Sequence, residues 1–151
     1  MRKPMLRVVA VASTGGHWVQ LKRVCSAFDG TDLRFITTNR RHAIEVPCPL
    51  YAVEDANNQT RVRLLLMFLH ILWLMLRLRP DVVISTGAAP GAAALLLGKM
   101  LGARTIWIDS IANAEQMSMS GRWVSPWADL WLTQWVELAK PDGPQFCGSV
   151  L

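Results

Sequence analysis

Leu6 to Ala12 reads LRVVAVA, an apolar and largely β-branched run that offers water no face. A strand of that kind must be covered on both sides, which is the condition of parallel sheets packed between helices. Ser13-Thr14-Gly15-Gly16-His17 breaks the run, and Trp18 to Phe28 then carries helix-spaced Val19, Leu21, Val24 and Phe28. The unit returns downstream: Asp81 to Ser85 is a strand, Thr86-Gly87-Ala88-Ala89-Pro90 its loop, and Gly91 to Leu101 a helix of small residues closed by Gly102. Further strands are predicted at Leu33 to Thr37, Leu50 to Val53, Arg104 to Ile108, Ala128 to Thr133 and Gln145 to Cys147, with a long helix over Arg61 to Leu78 stopped by Pro80. Strands alternating with helices through short glycine loops predict an α/β fold, a Rossmann-like, doubly wound and mostly parallel sheet. At 151 residues the whole chain, 1–151, forms one such domain.

Charged residues make up only 18% of the chain against 52% hydrophobic, which excludes a disordered tail or a solvated coiled coil. The formal net charge is +5, and 12 of the 16 basic residues are arginine, the side chain suited to phosphates and anionic membrane faces. Cys25, Cys48 and Cys147 fit no zinc spacing and leave an odd number for disulfides, so a reducing, cytosolic compartment is expected, with no metal. The N-terminal apolar run Val8 to Ala12 is shorter than the ~7–15 residues of a secretory signal, and that reading is rejected.

In open α/β sheets ligands bind beyond the carboxyl ends of the strands, where loops enter helix N-termini. The loop Ser13 to His17 lacks the third glycine of the dinucleotide fingerprint and the lysine of the P-loop. It does offer two hydroxyls, two glycines that let an oxyanion approach the backbone, and one imidazole able to accept a proton from a sugar hydroxyl. A helix cap followed by a packed histidine is the plainer alternative. The loop Ser85 to Gly91 repeats the hydroxyl and glycine chemistry, with a simple connection as its alternative. Arg40 and Arg41 stand where a nicotinamide-binding domain usually carries an acid for the ribose, which argues against that cofactor; a solvated turn accounts for them as well.

Leu64 to Leu76 (LLLMFLHILWLML) is interrupted only by His70 and would extend about 20 Å, short of the ~30 Å hydrocarbon core of a bilayer. Arg63, His70 and Arg77 fall within a stripe about 40° wide, so most of the circumference is apolar, although packing on a sheet needs one face. The excess face must meet lipid, a partner or a deeper core. For the lipid case the candidate membrane-binding residues are Arg61, Arg63, Leu64, Leu65, Phe68, Leu72, Trp73, Arg77 and Arg79, the arginines snorkelling to anionic headgroups. Trp123, Trp127, Trp131 and Trp135 recur every fourth residue; on a strand Trp131 and Trp135 share a face, and Trp131 is assigned to the core.

Ser13-Thr14-Gly15-Gly16-His17 with Gln20-Leu21, Pro80 to Gly87 followed by Pro90-Gly91, Ile106-Trp107-Ile108-Asp109-Ser110, Ser118 to Arg122, and Gly148 to Leu151 together resemble a known family. It is that of the membrane-anchoring subunit of the split UDP-GlcNAc transferase of N-glycan assembly. The bacterial PssD-type proteins of exopolysaccharide and capsule synthesis look most similar, on the expectation that no N-terminal anchor is present. The resemblance implies the N-terminal, acceptor-side half of a GT-B glycosyltransferase, inactive without a second small subunit that binds the UDP-sugar or other nucleotide-sugar donor. It further implies a hexosyltransferase-type heterodimer at the cytoplasmic face of the inner membrane, acting peripherally on a lipid-diphosphate-linked, anionic acceptor, with no cofactor and no nucleic acid. By likeness to the peptidoglycan transferase of that architecture, His17 would be the catalytic residue at the acceptor hydroxyl. Ser13, Thr14, Gly15, Gly16, Thr86, Gly87, Pro90, Gly91, Asp109 and Ser110 would form the substrate-binding set, with Asp109 standing where many members carry Glu.

Two other classes compete with this enzyme half. A stand-alone Rossmann reductase or nucleotide-binding protein would bind a nucleotide unaided, which the glycine loop does not favour. A non-catalytic membrane adaptor would use only the Arg61 to Arg79 helix.

Overall fold

The computed structural model describes residues 4–56 and 60–150. Among these described residues seven strands form one sheet in the order β3-β2-β1-β4-β5-β6-β7. They are β1 Arg7–Ala12, β2 Asp32–Thr37, β3 Leu50–Ala52, β4 Val82–Ser85, β5 Arg104–Ile108, β6 Leu130–Thr133 and β7 Gln145–Phe146. Every pairing is parallel. The doubly wound expectation therefore holds, and the sheet is parallel throughout. Strand order reverses direction between β1 and β4, whose Val11 and Ser85 are paired in register. That is the switch point where this class of sheet leaves a crevice.

The double coverage inferred from LRVVAVA is realised residue by residue. Val9 and Val11 join the cluster beneath α2 (Arg61–Leu78) and α3 (Ala88–Met100), with Ile71, Leu74, Leu95 and Trp107. Val8, Ala10 and Ala12 point the other way, to Trp18, Leu21 and Cys25 of α1 (Gly16–Cys25). α3 lies close on the sheet because it is built of small residues: a methyl on Gly91 would stand 1.9 Å from Ser85 Oγ, and one on Gly98 2.6 Å from Val83. At the amino edge Asp81 ties the central strands together, accepting from the Arg7 backbone N–H at 2.9 Å and from its guanidinium at 2.8 and 3.1 Å.

Four local expectations change. α1 begins at Gly16 and ends at Cys25, with Ser26–Phe28 tightening into a 3-10 turn. α3 begins at Ala88, since Pro90 falls in its first turn, where no N–H is needed. A short helix, α4 (Met119–Val124), was not foreseen because six residues carry too little periodicity; Ser118 caps it by accepting from the Gly121 N–H at 2.9 Å. Trp131 is only partly buried against the α2/α3 core, and Trp135 lies beyond the end of β6, donating its indole N–H to the Ile111 carbonyl at 2.8 Å.

Helix α2 divides cleanly. Met67, Ile71, Leu74, Met75 and Leu78 are buried, whereas Leu65, Leu66, Leu69, Trp73 and Leu76 are each at least half exposed. At about 100° per residue the exposed five occupy roughly 100° of arc, opposite the buried five. The fully buried alternative for this helix does not hold. Among the described residues no helix is long and apolar enough to cross a membrane.

Candidate functional site

The loops after β1 and β4 are neighbours at the switch point, and they lock onto each other through two residues. His17 Nδ1 lies 3.0 Å from the Thr86 carbonyl oxygen, and the Thr86 hydroxyl donates to the His17 carbonyl at 2.6 Å. A carbonyl can only accept, so in the neutral ring Nδ1 carries the hydrogen and Nε2 keeps its lone pair. Gly87, at φ 143°, passes directly beneath the imidazole. Ala88, the first residue of α3, holds φ 69°, a strained conformation for a side-chain-bearing residue and one that clusters at functional sites.

A cavity of about 240 Å³ opens here, lined by His17, Ala88, Ser110, Ala112, Asn113, Ser118, Met119 and Ser120. Thr14, Gly15 and Gly16 are exposed, and Ser13 is half-buried. Gly15 adopts φ 71° at the N-cap of α1, which has no side-chain cap, so the first-turn N–H groups are unclaimed by any capping side chain. The N-cap of α3 at Gly87 likewise has no side-chain cap. Both helix starts therefore present the positive end of a backbone dipole at the carboxyl edge of the sheet.

The structure does not bring every sequence candidate to the cavity wall. His17 and Ser110 line it, and Thr86 and Gly87 shape it from behind His17. Pro90 and Gly91 are buried in the body of α3, Gly91 against Ser85 and Trp107. Asp109 is 1% exposed and its two oxygens are already committed. It accepts from Trp107 Nε1 at 3.0 Å, the Ser118 backbone N–H at 2.7 Å, the Ser118 hydroxyl at 2.5 Å and Asn113 Nδ2 at 3.2 Å. Four donors satisfy the buried carboxylate and fold the loop 110–118 over it.

Sequence reasoning missed Asn113, Ser118, Met119 and Ser120 as lining residues, although Ser118 to Ser120 had been noticed as a motif. The motif containing Gln20 gives no role to that residue, and Gln134 lies outside every motif. Gln20 donates to Ser110 Oγ at 3.2 Å and accepts from the Ile111 N–H at 3.1 Å. Gln134 donates to Gln20 and to the Asp109 carbonyl, and accepts from the Val150 N–H at 2.9 Å. The available signal is Gln20 itself, a polar residue on the buried face of α1 beside Trp18, Leu21 and Cys25.

Arg40 and Arg41 are exposed on a 3-10 turn, apart from the cavity lining. Nearby, Glu45 pairs with Lys22 and accepts from Trp18 Nε1 at 3.0 Å, contacts that hold its carboxyl below the ordinary range. Among the described residues no cluster of His, Cys, Asp and Glu could hold a metal ion.

The sequence profile of a family described as "Oligosaccharide biosynthesis protein Alg14 like" matches residues 51–150. The UDP-N-acetylglucosamine transferase subunit ALG14 of Homo sapiens is 25% identical over 171 aligned positions, covering 89% of this chain and 78% of that protein. Among solved structures, MurG of Acinetobacter baumannii matches with a TM-score of 0.78 at 16% identity, over 97% of this chain and 46% of MurG. A UDP-N-acetylglucosamine 2-epimerase from Rickettsia bellii matches at 0.67 and 19% identity, over 87% of this chain and 39% of the enzyme. At these identities the structural likeness establishes the fold. The chain spans less than half the length of either solved protein.

Proposed function

The chain belongs to the Alg14-like family of oligosaccharide biosynthesis proteins, and from that premise we propose that it is the acceptor-side, membrane-associating subunit of a two-chain glycosyltransferase of GT-B architecture. The observation that carries the reading is the clasp between His17 and Thr86, which holds an imidazole at the switch point with Nε2 free to accept a proton. A general base must reach its hydroxyl and keep a fixed tautomer, and a carbonyl partner on the far nitrogen supplies the second condition.

In this reading a second subunit brings a nucleotide sugar to the open side of the cleft. The acceptor hydroxyl oxygen forms a bond to the anomeric carbon, the bond from that carbon to the nucleoside diphosphate breaks, and the hydroxyl proton passes to His17 Nε2. The diphosphate of a lipid-linked acceptor sits against Ser13, Thr14, Gly15 and Gly16, where uncapped N–H groups and the dipole of α1 favour an anion. Ser110 lines the cavity itself, and Asp109 acts one layer back by ordering the loop that carries Asn113 and Ser118. The reading assigns no cofactor or metal to this chain, whose contribution is the base and the anion site. The product would belong to a surface glycan such as an exopolysaccharide or capsule, made on the cytoplasmic face of the inner membrane, where the exposed apolar stripe and flanking arginines of α2 hold the chain peripherally.

One domain supplies one wall of such a cleft, so the isolated chain should transfer no sugar, and the partner interface should exceed ~1,000 Å². Co-expression with the partner and an assay on lipid-diphosphate acceptors tests this. His17→Ala should lower turnover of the pair by a factor of about 10²–10⁴ while the fold persists. Turnover by the chain alone, or full activity of the His17→Ala pair, would overturn the reading.

A further inference from the structure

Next to the polar cavity lies a larger one of different chemistry. It encloses about 380 Å³ and is lined by Leu64, Met67 and Phe68 of α2, Ala89, Ala92 and Ala93 of α3, and Met119, Ser120 and Trp123 at α4. Its polar side-chain groups are the Ser120 hydroxyl and the Trp123 indole N–H. The volume is within the range of small-ligand sites. Met119 and Ser120 line both cavities, and Ala88 of one is followed directly by Ala89 of the other. The two therefore share a wall, polar on the His17 side and apolar on the α2 side.

Phe68 lies on the flank of α2 between its buried and exposed faces, with Leu64 one turn earlier at the margin of the buried face, and both are half-buried. The groove thus opens beside the outward stripe of Leu65, Leu69 and Trp73. The groove's own lining holds no charged side chain, and at Met119 and Ser120 it meets the cavity of Ser118, Asn113 and His17. Resting on the transferase reading above, we propose that this groove seats the first part of the acceptor's hydrocarbon chain, so that a diphosphate at the polar cavity and an alkyl or prenyl tail at the apolar one are read together.

The chemistry of the lining selects a hydrocarbon over a peptide. An extended segment would bury backbone N–H and C=O groups with one hydroxyl and one indole N–H to pair with, at a cost of about 1–3 kcal/mol for each group left unmet. A helix, about 10 Å across with its side chains, exceeds the space. A hydrocarbon asks for no hydrogen bonds and gains affinity roughly fourfold for each methylene removed from water. The short side chains of Ala89, Ala92 and Ala93 on the α3 side leave room where a chain would lie.

The test compares two probes on the full chain by calorimetry, inorganic pyrophosphate and farnesyl diphosphate, which present the same head with and without a tail. Farnesyl diphosphate should bind at least about tenfold more tightly. The gap should close in Met119→Glu and in Trp123→Glu, side chains 67% and 51% exposed whose replacement leaves the core intact. It should persist in Leu69→Glu, which alters the outward stripe and not the groove. Equal affinities for the two probes, no binding of farnesyl diphosphate, or a gap that survives both groove variants would each overturn the proposal. The transferase reading fails on a separate measurement, transfer by the reconstituted pair, so a groove that binds the tail in a pair that moves no sugar refutes that reading alone.

Discussion

Gly87 lies so close beneath His17 that a methyl group on it would stand 2.4 Å from Nδ1 and 2.5 Å from Cε1. No real Cβ tolerates that contact, so Gly87→Ala must push the imidazole off the Thr86 carbonyl. Because a displacement on the order of 1 Å can cost about a hundredfold in rate, turnover of the reconstituted pair should fall by about tenfold to a hundredfold. Gly102→Ala is the control: Gly102, after α3 and outside the proposed site, has nothing within 4 Å of its virtual Cβ, so that variant meets backbone strain at φ 88° without a clash. Rates for the two variants, alongside their circular dichroism, separate a displaced base from a damaged fold.

Asp109 makes a second, opposite prediction, one about stability. Its carboxylate satisfies Trp107 Nε1, Asn113, and the Ser118 N–H and hydroxyl in a buried place. Asp109→Ala strands those donors and should destabilise the protein by about 3–5 kcal/mol, measurable as a lowered urea midpoint. Gly121→Ala should fail similarly, since its Cβ would sit 2.7 Å from Asp109 Oδ1 and 2.8 Å from Trp107 Nε1. A variant of either kind with wild-type stability would mean that the loop 110–118 is held by something else.

The contrast between these residues shows where sequence reasoning succeeds. β1 and its loop were legible because LRVVAVA has only one way to be buried, and because a glycine loop between a strand and a helix has a fixed place at the sheet edge. Asp109 was legible as a residue of interest but not in its role, since its donors come from positions up to nine residues away in an irregular loop. Gly91 illustrates the same limit. A glycine beside a functional loop looks like a ligand contact, yet its neighbours Ser85 and Trp107 reveal a packing requirement, and only the crossing of α3 over β4 and β5 brings them together.

Acid should weaken the protein through Asp81 and Asp129. The guanidinium and backbone N–H of Arg7 hold the Asp81 carboxyl below its ordinary value of 3.8, and Lys99, with the N–H and hydroxyl of Thr105, does so for Asp129. A carboxyl with a depressed folded-state value contributes its full stability above the unfolded value and loses it as pH falls through the folded one. The urea midpoint should therefore hold from about pH 6 to pH 5 and decline below about pH 4. Asp81→Asn should lower the midpoint at neutral pH and flatten part of that decline. An unchanged slope would assign the acid sensitivity to other carboxylates. Because Asp81 sits at the amino edge of the sheet, away from the cleft, the same variant should leave the transfer rate of folded protein intact.

The outward face of α2 gives the prediction that is independent of any substrate. Leu65, Leu66, Leu69, Trp73 and Leu76 present a continuous apolar stripe, and the Arg77 guanidinium lies 5.4 Å from the Trp73 ring, a pairing suited to a headgroup boundary. Binding to anionic vesicles should then have two separable components, buried apolar area and attraction of Arg61, Arg63, Arg77 and Arg79 at about 1 kcal/mol each near the surface. Replacing the four arginines with glutamine should weaken binding and remove much of its salt dependence. Leu69→Glu and Leu76→Glu should abolish binding while shifting stability by no more than about 0.5 kcal/mol, because both side chains are already half in water. Leu74→Glu, one turn away and fully buried, should instead unfold the domain, since an unpaired buried charge costs several kcal/mol of a total of about 5–15. Co-sedimentation across a salt series, paired with urea melts of each variant, checks both halves. Wild-type protein that ignores anionic vesicles at low salt would assign the stripe to a protein partner.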